Sequence, residues 1–161
     1  MKITALLRRY QRPGTEDWVG EGTIAATEPV VAPARAYADA DSGEALRHGN
    51  PTEDATRPFG DHPFGEYRVV AVIRSETKAD REKYGPVRLA LDPVAGQALE
   101  AKKAGRTGLA IHGGPTRDGA LRATHGCLRV DDATAEALAD PADEQLRSGG
   151  SVLYVCEEIG P

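Results

Sequence analysis

The sequence predicts a mainly β fold of short strands joined by turns, with a few short helices, and three observations predict it. Eighteen glycines and 11 prolines among 161 residues punctuate the chain too often for a helical bundle. Only 5% of residues are aromatic, which fits a loop-rich fold of modest core. Apolar residues alternate with period two at residues 2–9, 66–74 and 151–156, the signature of strands with one buried face.

In chain order, residues 2–9 form a first strand, with Ile3, Ala5 and Leu7 on one face and Lys2, Thr4 and Leu6 on the other. Pro13-Gly14 ends it. From Trp18 to about Ala38, the β-branched residues Val19, Thr23, Ile24, Val30 and Val31 sit between glycines and prolines, as in short strands joined by turns. Residues 39–65 are polar and rich in Gly and Pro, which predicts a long surface loop with His48 and His62 in solvent. Glu66 to Arg74 is the strongest strand: Tyr67, Val69, Ala71 and Ile73 face one way and Val70 and Val72 the other, with both faces covered in the middle. Thr77 to Lys83 predicts a short helix that stops before Gly85-Pro86, and Val87 to Leu91 the next strand. Val94 to Ala104 has helical composition apart from Gly96 and is closed by Gly105. Gly108 to His112 is a buried strand that delivers His112 at its end. After a loop at 113–123 containing Arg117, Asp118 and Arg122, either Asp131 or Asp132 caps a helix from Ala133 to Leu138, resuming to Leu146 beyond Pro141. Gly149-Gly150 turns the chain into a last strand, Ser151 to Cys156, with Val152, Tyr154 and Cys156 on one face.

Length predicts a single domain over residues 1–161. A net charge of -5 and a pI near 5.4 exclude a nucleic-acid binder, since neutralising phosphates needs a clustered excess of Lys and Arg. No stretch approaches the ~20 apolar residues of a membrane span. Arg8 and Arg9 interrupt the apolar run Ile3 to Leu7, so no export signal is expected and cytoplasmic or non-classical export stays open. Two cysteines make no disulfide framework. Cys156, inside an apolar strand, reads as a buried structural thiol.

Cys127 reads differently, because Thr124-His125-Gly126-Cys127-Leu128-Arg129 surrounds it with polar groups and His112 lies fifteen residues upstream. An ordinary thiol is only about 3% thiolate at neutral pH, so a nucleophilic cysteine needs a base or a cation beside it. Either His125 or His112 could be that base. His125 and Cys127, at i and i+2, share one side of an extended segment. Gly126 between them would let a substrate carbonyl approach the backbone, with the N–H groups of Gly126 and Cys127 as oxyanion donors. The Arg129 guanidinium could hold a substrate carboxylate, whereas Arg117 and Arg122 read as loop surface. The histidines and cysteines lack C-x2-C or H-x3–5-H spacing, so no metal and no cofactor is expected.

These residues resemble the L,D-transpeptidases of the YkuD type, bacterial cell-wall enzymes marked by an upstream histidine and then Ser/Thr-His-Gly-Cys-hydrophobic-Arg/Asn. Here the two parts read Ile111-His112-Gly113-Gly114 and Thr124 to Arg129. Pro63-Phe64-Gly65-Glu66-Tyr67-Arg68-Val69 resembles the family's Pro-x-Gly-x-Tyr/Phe-x-Val segment, and Gly149-Gly150-Ser151-Val152 its final Gly-x-x-Val strand. The likeness is clear over about residues 60–157. It implies a β-sandwich of mixed sheets with short helices. It also implies a Cys127 thioester on a peptidoglycan tetrapeptide stem, release of D-Ala, and resolution by a second stem into a 3-3 cross-link. His112 would be the base, oriented by the Gly113 carbonyl, with His125 shaping the oxyanion pocket and Arg129, Thr124 and Gly126 meeting the donor stem. His62 stands where the family usually has Thr, and only eleven residues separate His112 from Thr124, which implies a compact loop and easier access for water.

The expected partner is therefore a peptidoglycan stem in the periplasm or cell wall. Within the same chemistry the alternatives are an L,D-carboxypeptidase or a D-amino-acid exchange enzyme, including one used as an antibacterial effector. Outside it stand a non-catalytic cell-wall-binding module and a metal-binding protein.

Overall fold

The computed structural model describes residues 1–160; Pro161, the last residue of the expected domain, lies outside them. Three long strands come first: β1 (Lys2–Gln11), β2 (Trp18–Thr27) and β3 (Val31–Ala38). They form an antiparallel meander, with Lys2 opposite Thr27 and Gly20 opposite Ala38. The predicted face of β1 is the core face, with Ile3, Ala5 and Leu7 fully buried. After a short helix α1 (Ser42–Arg47) come β4 (Gly65–Arg74), α2 (Lys78–Tyr84), β5 (Val87–Ala95), α3 (Gly96–Lys103), β6 (Ala110–His112), β7 (Leu128–Val130), α4 (Asp132–Arg147) and β8 (Leu153–Glu158).

The mixed pairing matches expectation, but the sheet does not split into the two layers of a sandwich. It closes into a barrel in the order β1-β2-β3-β7-β6-β5-β4-β8. The closing strand is β8, parallel to β1 on one side and antiparallel to β4 on the other. On the far wall β7 joins β3 antiparallel and β6 parallel. Its single core holds Ile24, Tyr67, Leu89, Ile111, Leu128 and Tyr154. Flanked by both neighbours, β8 keeps Tyr154 and Cys156 inward as predicted, and Val152, just before it, is buried with them.

Other expectations are revised for local reasons. In β4 the register slips between Val69 and Ala71; a bulge there inserts Val70 and reverses the alternation beyond it. Val70 and Ile73 are therefore exposed, and Val72 packs on the core instead. Val94 and Ala95 extend β5 rather than opening α3. The last helix runs unbroken through Pro141, because its buried face of Ala135, Leu138, Ala139 and Ala142 packs against β4 and β5 and outweighs one lost backbone bond. Its N-cap is Asp131, whose carboxylate is taken by Arg35 rather than by the helix.

The largest revision concerns residues 39–65. They include α1, and Ala40, Asn50, Glu53, Gly60, Asp61, His62 and Pro63 are all buried. His48 is exposed as expected and stacks on Phe59 at 3.7 Å between ring centroids. His62 is not in solvent at all. The segment keeps an exposed outer side, including Asp41–Gly43 and Leu46–Gly49, while Asn50 and Arg106 meet its inner backbone carbonyls from within, as buried backbone requires.

Candidate active site

Two three-residue parallel strands set the geometry. Ile111 pairs with Leu128 and His112 with Arg129, and Ile111 and Leu128 both point into the core. Alternation then puts His112, Arg129 and Cys127 on the opposite side, where all three line one cavity of about 510 Å3. His112 Nδ1 lies 2.7 Å from the Gly113 carbonyl oxygen. A carbonyl can only accept, so Nδ1 carries the proton and Nε2 keeps its lone pair. The Tyr84 ring meets the imidazole edge-on, 5.2 Å between centroids. The Cys127 thiol points back toward the Gly108 carbonyl, at 3.7 Å.

The loop before Cys127 is fixed from three sides. Thr124 Oγ1 accepts the Gly126 N–H at 3.0 Å and donates to the Cys127 carbonyl at 2.8 Å, so this buried threonine folds the turn. From behind, the Arg106 guanidinium donates to the carbonyls of Gly60 and Asp61, each at 2.7 Å, and of Ala55. Its place follows from the end of α3: Gly105, at φ 97°, donates to Lys102, and the Arg106 N–H to Ala101, a Schellman turn that aims the next side chain inward. Third, His62 Nδ1 lies 3.1 Å from the Gly126 carbonyl and Nε2 lies 3.0 Å from the Tyr154 hydroxyl. The carbonyl fixes the tautomer again: Nδ1 donates, and Nε2 accepts from Tyr154.

Gly126 is needed for a reason other than substrate approach. Its φ is +115°, and a Cβ there would sit 1.8 Å from an Arg106 nitrogen. Its N–H is spent on Thr124, so it is not free to serve an oxyanion. Gly113 is similarly confined, because a Cβ would meet Asp132 Oδ1 at 2.2 Å. That oxygen accepts the Gly114 N–H at 2.7 Å and so holds the turn that carries the Gly113 carbonyl.

A family model, the L,D-transpeptidase catalytic domain of the YkuD type, matches residues 17–147. The chain belongs to the L,D-transpeptidase family. The match begins well before residue 60, taking in β2 and β3, and stops short of the Gly149 to Val152 segment. No curated protein matches the chain. The family acts on peptidoglycan, and among the described residues no helix is long and apolar enough to cross a membrane.

Within this L,D-transpeptidase fold the residues singled out from sequence separate into two groups. His112, Thr124, His125, Cys127 and Arg129 share the cavity. Gly126 and Gly113 frame it without lining it. His125 is exposed at the rim, 5.5 Å between centroids from Phe59. Arg129 is buried and donates to the Pro115 carbonyl, while its Nε has no partner. Arg117 stays on the surface, but Arg122 lines the cavity together with Lys83. Sequence reading missed His62, Arg106 and Asp132. Only Arg106 left a local signal, an arginine directly after a helix-closing glycine.

The electrostatics set the resting state. Burial, reinforced by Arg129, Arg88 and Lys83, lowers the His112 pKa to about 4, against the opposing bond to Gly113. Burial also pushes the Cys127 thiol up, although Arg106, Lys83 and Arg88 pull the other way. At neutral pH the imidazole and the thiol are therefore both uncharged. Burial takes His62 lower still, to about 3, and Cys156 up to about 12.

Proposed function

We propose that this chain is an L,D-transpeptidase working through a Cys127 thioester on peptidoglycan tetrapeptide stems, at the periplasm or cell wall. The observation that carries the reading is the His112 tautomer: with Nδ1–H tied to Gly113, Nε2 presents a lone pair into the same cavity as the thiol. Because both groups start uncharged, the proton moves from sulfur to Nε2 as sulfur attacks the carbonyl that follows the stem's third residue. The resulting imidazolium gives the proton to the departing D-Ala amine. An incoming amine of a second stem then gives its proton to His112 while displacing the thiolate, and the 3-3 bond forms. With Gly126 N–H engaged, the Cys127 N–H is the remaining backbone donor for the oxyanion in this turn. The cations Lys83, Arg122 and Arg129 around the cavity suit a stem that carries carboxylates.

Hydrolysis or exchange of the terminal D-amino acid is the second reading. It is favoured by the run Pro115 to Ala120, which stays in solvent and does not line the cavity, so this short loop puts little in the way of water. Incubation with purified tetrapeptide stems, followed by intact-protein and product mass, tests both. Loss of D-Ala with an acyl adduct on Cys127 supports the cysteine mechanism, and no adduct under turnover conditions refutes it. Cross-linked dimers indicate transfer, free tripeptide indicates hydrolysis, and incorporation of an added D-amino acid indicates exchange.

A further inference from the structure

Three carboxylates with no part in that chemistry lie behind the nucleophile loop. Asp39, Glu53 and Asp61 are all buried, and an oxygen of each lies within 4.8 Å of the others. Two of them are partly compensated. Asp39 Oδ2 accepts from Arg12 at 2.7 Å and from the Tyr37 hydroxyl at 3.1 Å. Asp61 Oδ1 accepts the Ala40 N–H at 3.0 Å, and its other oxygen is 3.8 Å from the Arg9 guanidinium.

Glu53 differs from both. Its residue is 4% exposed, and no N–H or O–H of the protein reaches either carboxylate oxygen, which leaves only a proton shared with the Asp61 carboxylate as a bond. Leaving a buried carboxylate unpaired is costly, so the group must gain a proton or a cation. Burial and the neighbouring Asp61 and Asp39 raise Glu53, and burial raises Asp61, so the pair resists carrying both charges without a counter-ion. A cavity of about 180 Å3, lined by Glu53, Asp61 and Arg9 among others, adjoins the group and has room for water.

We propose that Asp39, Glu53 and Asp61 form a binding site for a divalent cation of hard, oxygen-seeking chemistry, Ca2+ in the first place. The two Glu53 oxygens, the uncommitted Asp39 oxygen and the Asp61 oxygen that Arg9 approaches only to 3.8 Å offer up to four ligands, and waters in the cavity would complete the shell. No sulfur donor is in the cluster, and both nitrogens of nearby His62 are already bonded, so a softer metal has nothing to select it. Three carboxylates from irregular backbone suit the adaptable shell of Ca2+ better than the strict octahedron of Mg2+. The cation would brace the loop that carries the thiol. The Asp39 carbonyl accepts the Thr124 N–H at 3.0 Å, and the Asp61 carbonyl accepts from Arg106.

Calorimetric titration of the chelator-treated full chain with CaCl2, and then with MgCl2, tests the site without reference to activity. One-site binding of Ca2+ with a Kd of about 0.1 mM or tighter is expected. Tm should rise by roughly 5–10 °C at a hundredfold excess over Kd. Glu53→Gln removes the unpaired charge and should fold at least as well without metal, yet weaken binding at least about tenfold and lose the thermal response. Asp61→Asn should weaken binding in the same direction, whereas Asp92→Asn, at an exposed pair with Lys102, should leave the response intact. Absence of heat and of a thermal shift with both cations overturns the proposal, as does an undiminished shift in Glu53→Gln. A wild type that responds to pH alone, with no cation effect, shows a shared proton in the cluster and overturns it equally.

Discussion

His112 and His62 are built alike and placed differently. Each is buried, each has Nδ1 bound to a glycine carbonyl, and burial drives each pKa well below the ordinary value. They differ at the other nitrogen. His62 Nε2 is closed off by the Tyr154 hydroxyl, while His112 lines the cavity that holds the thiol. Chemistry at an imidazole therefore depends less on its tautomer or its pKa than on what faces the second nitrogen. One ring is equipped to accept a proton, and the other is a strut.

Asparagine breaks this comparison cleanly, because its amide can replace Nδ1–H while deleting Nε2. His112→Asn should lower kcat/KM by roughly 10²–10⁴-fold with little change in Tm. Similar loss from His62→Asn would erase the distinction. That variant should instead cost about 1–3 kcal/mol of stability, read from denaturant unfolding, because the buried Tyr154 hydroxyl loses its acceptor.

Acid sharpens the contrast further. Both histidines are neutral in the fold down to about pH 4 or below, whereas an unfolded histidine takes a proton near 6.5. The unfolded state therefore binds more protons across that window. Their contribution to stability is whole above pH 6.5 and is lost progressively as pH falls toward 4 and 3. His62→Asn should flatten the decline of Tm in that range relative to wild type. The acid limb of kcat/KM should fall near pH 4 and persist in His62→Asn, since it belongs to His112; a limb near 6.5 would contradict its burial.

Smaller effects test the frame. Arg106→Lys retains the charge but not the fork that spans the Gly60 and Asp61 carbonyls, and should lower kcat several-fold with a modest fall in Tm. Cys156→Ser should leave turnover near wild type, whereas Cys127→Ser should give no acyl adduct. Equal loss from both would mean that the wrong thiol has been assigned.

Residues that declare themselves locally were legible in the sequence. Ile3, Ala5 and Leu7 mark a core face by alternation, Gly105 marks a helix end, and Thr124, His125, Cys127 and Arg129, read together in sequence, line one cavity. The rest depended on long-range pairing. Nothing in Val69-Val70-Ala71 announces a bulge, because register is decided by β5 across the ladder. Barrel closure depends on β8 finding both β1 and β4. His62 looked solvated because its neighbours in sequence are polar, while its partners Gly126 and Tyr154 are 64 and 92 residues away. Residues 39–65 differ from expectation for the same reason: their polarity does not mean exposure throughout, because Arg106 and Asn50 satisfy inner carbonyls of the segment from within.

Closure of the barrel has a consequence for recognition. Every strand from β1 to β8 has a neighbour on both sides for at least part of its length, and around the cavity β6 and β7 pair with each other and with β5 and β3 over only two or three residues, so the ladder there is too short to hold a peptide as an added strand. On the proposed reading a peptidoglycan stem would be gripped by side chains of the cavity beside the three-residue strands β6 and β7. Selectivity then rests on charge and shape at a few positions, among them Lys83, Tyr84, Arg122 and Arg129.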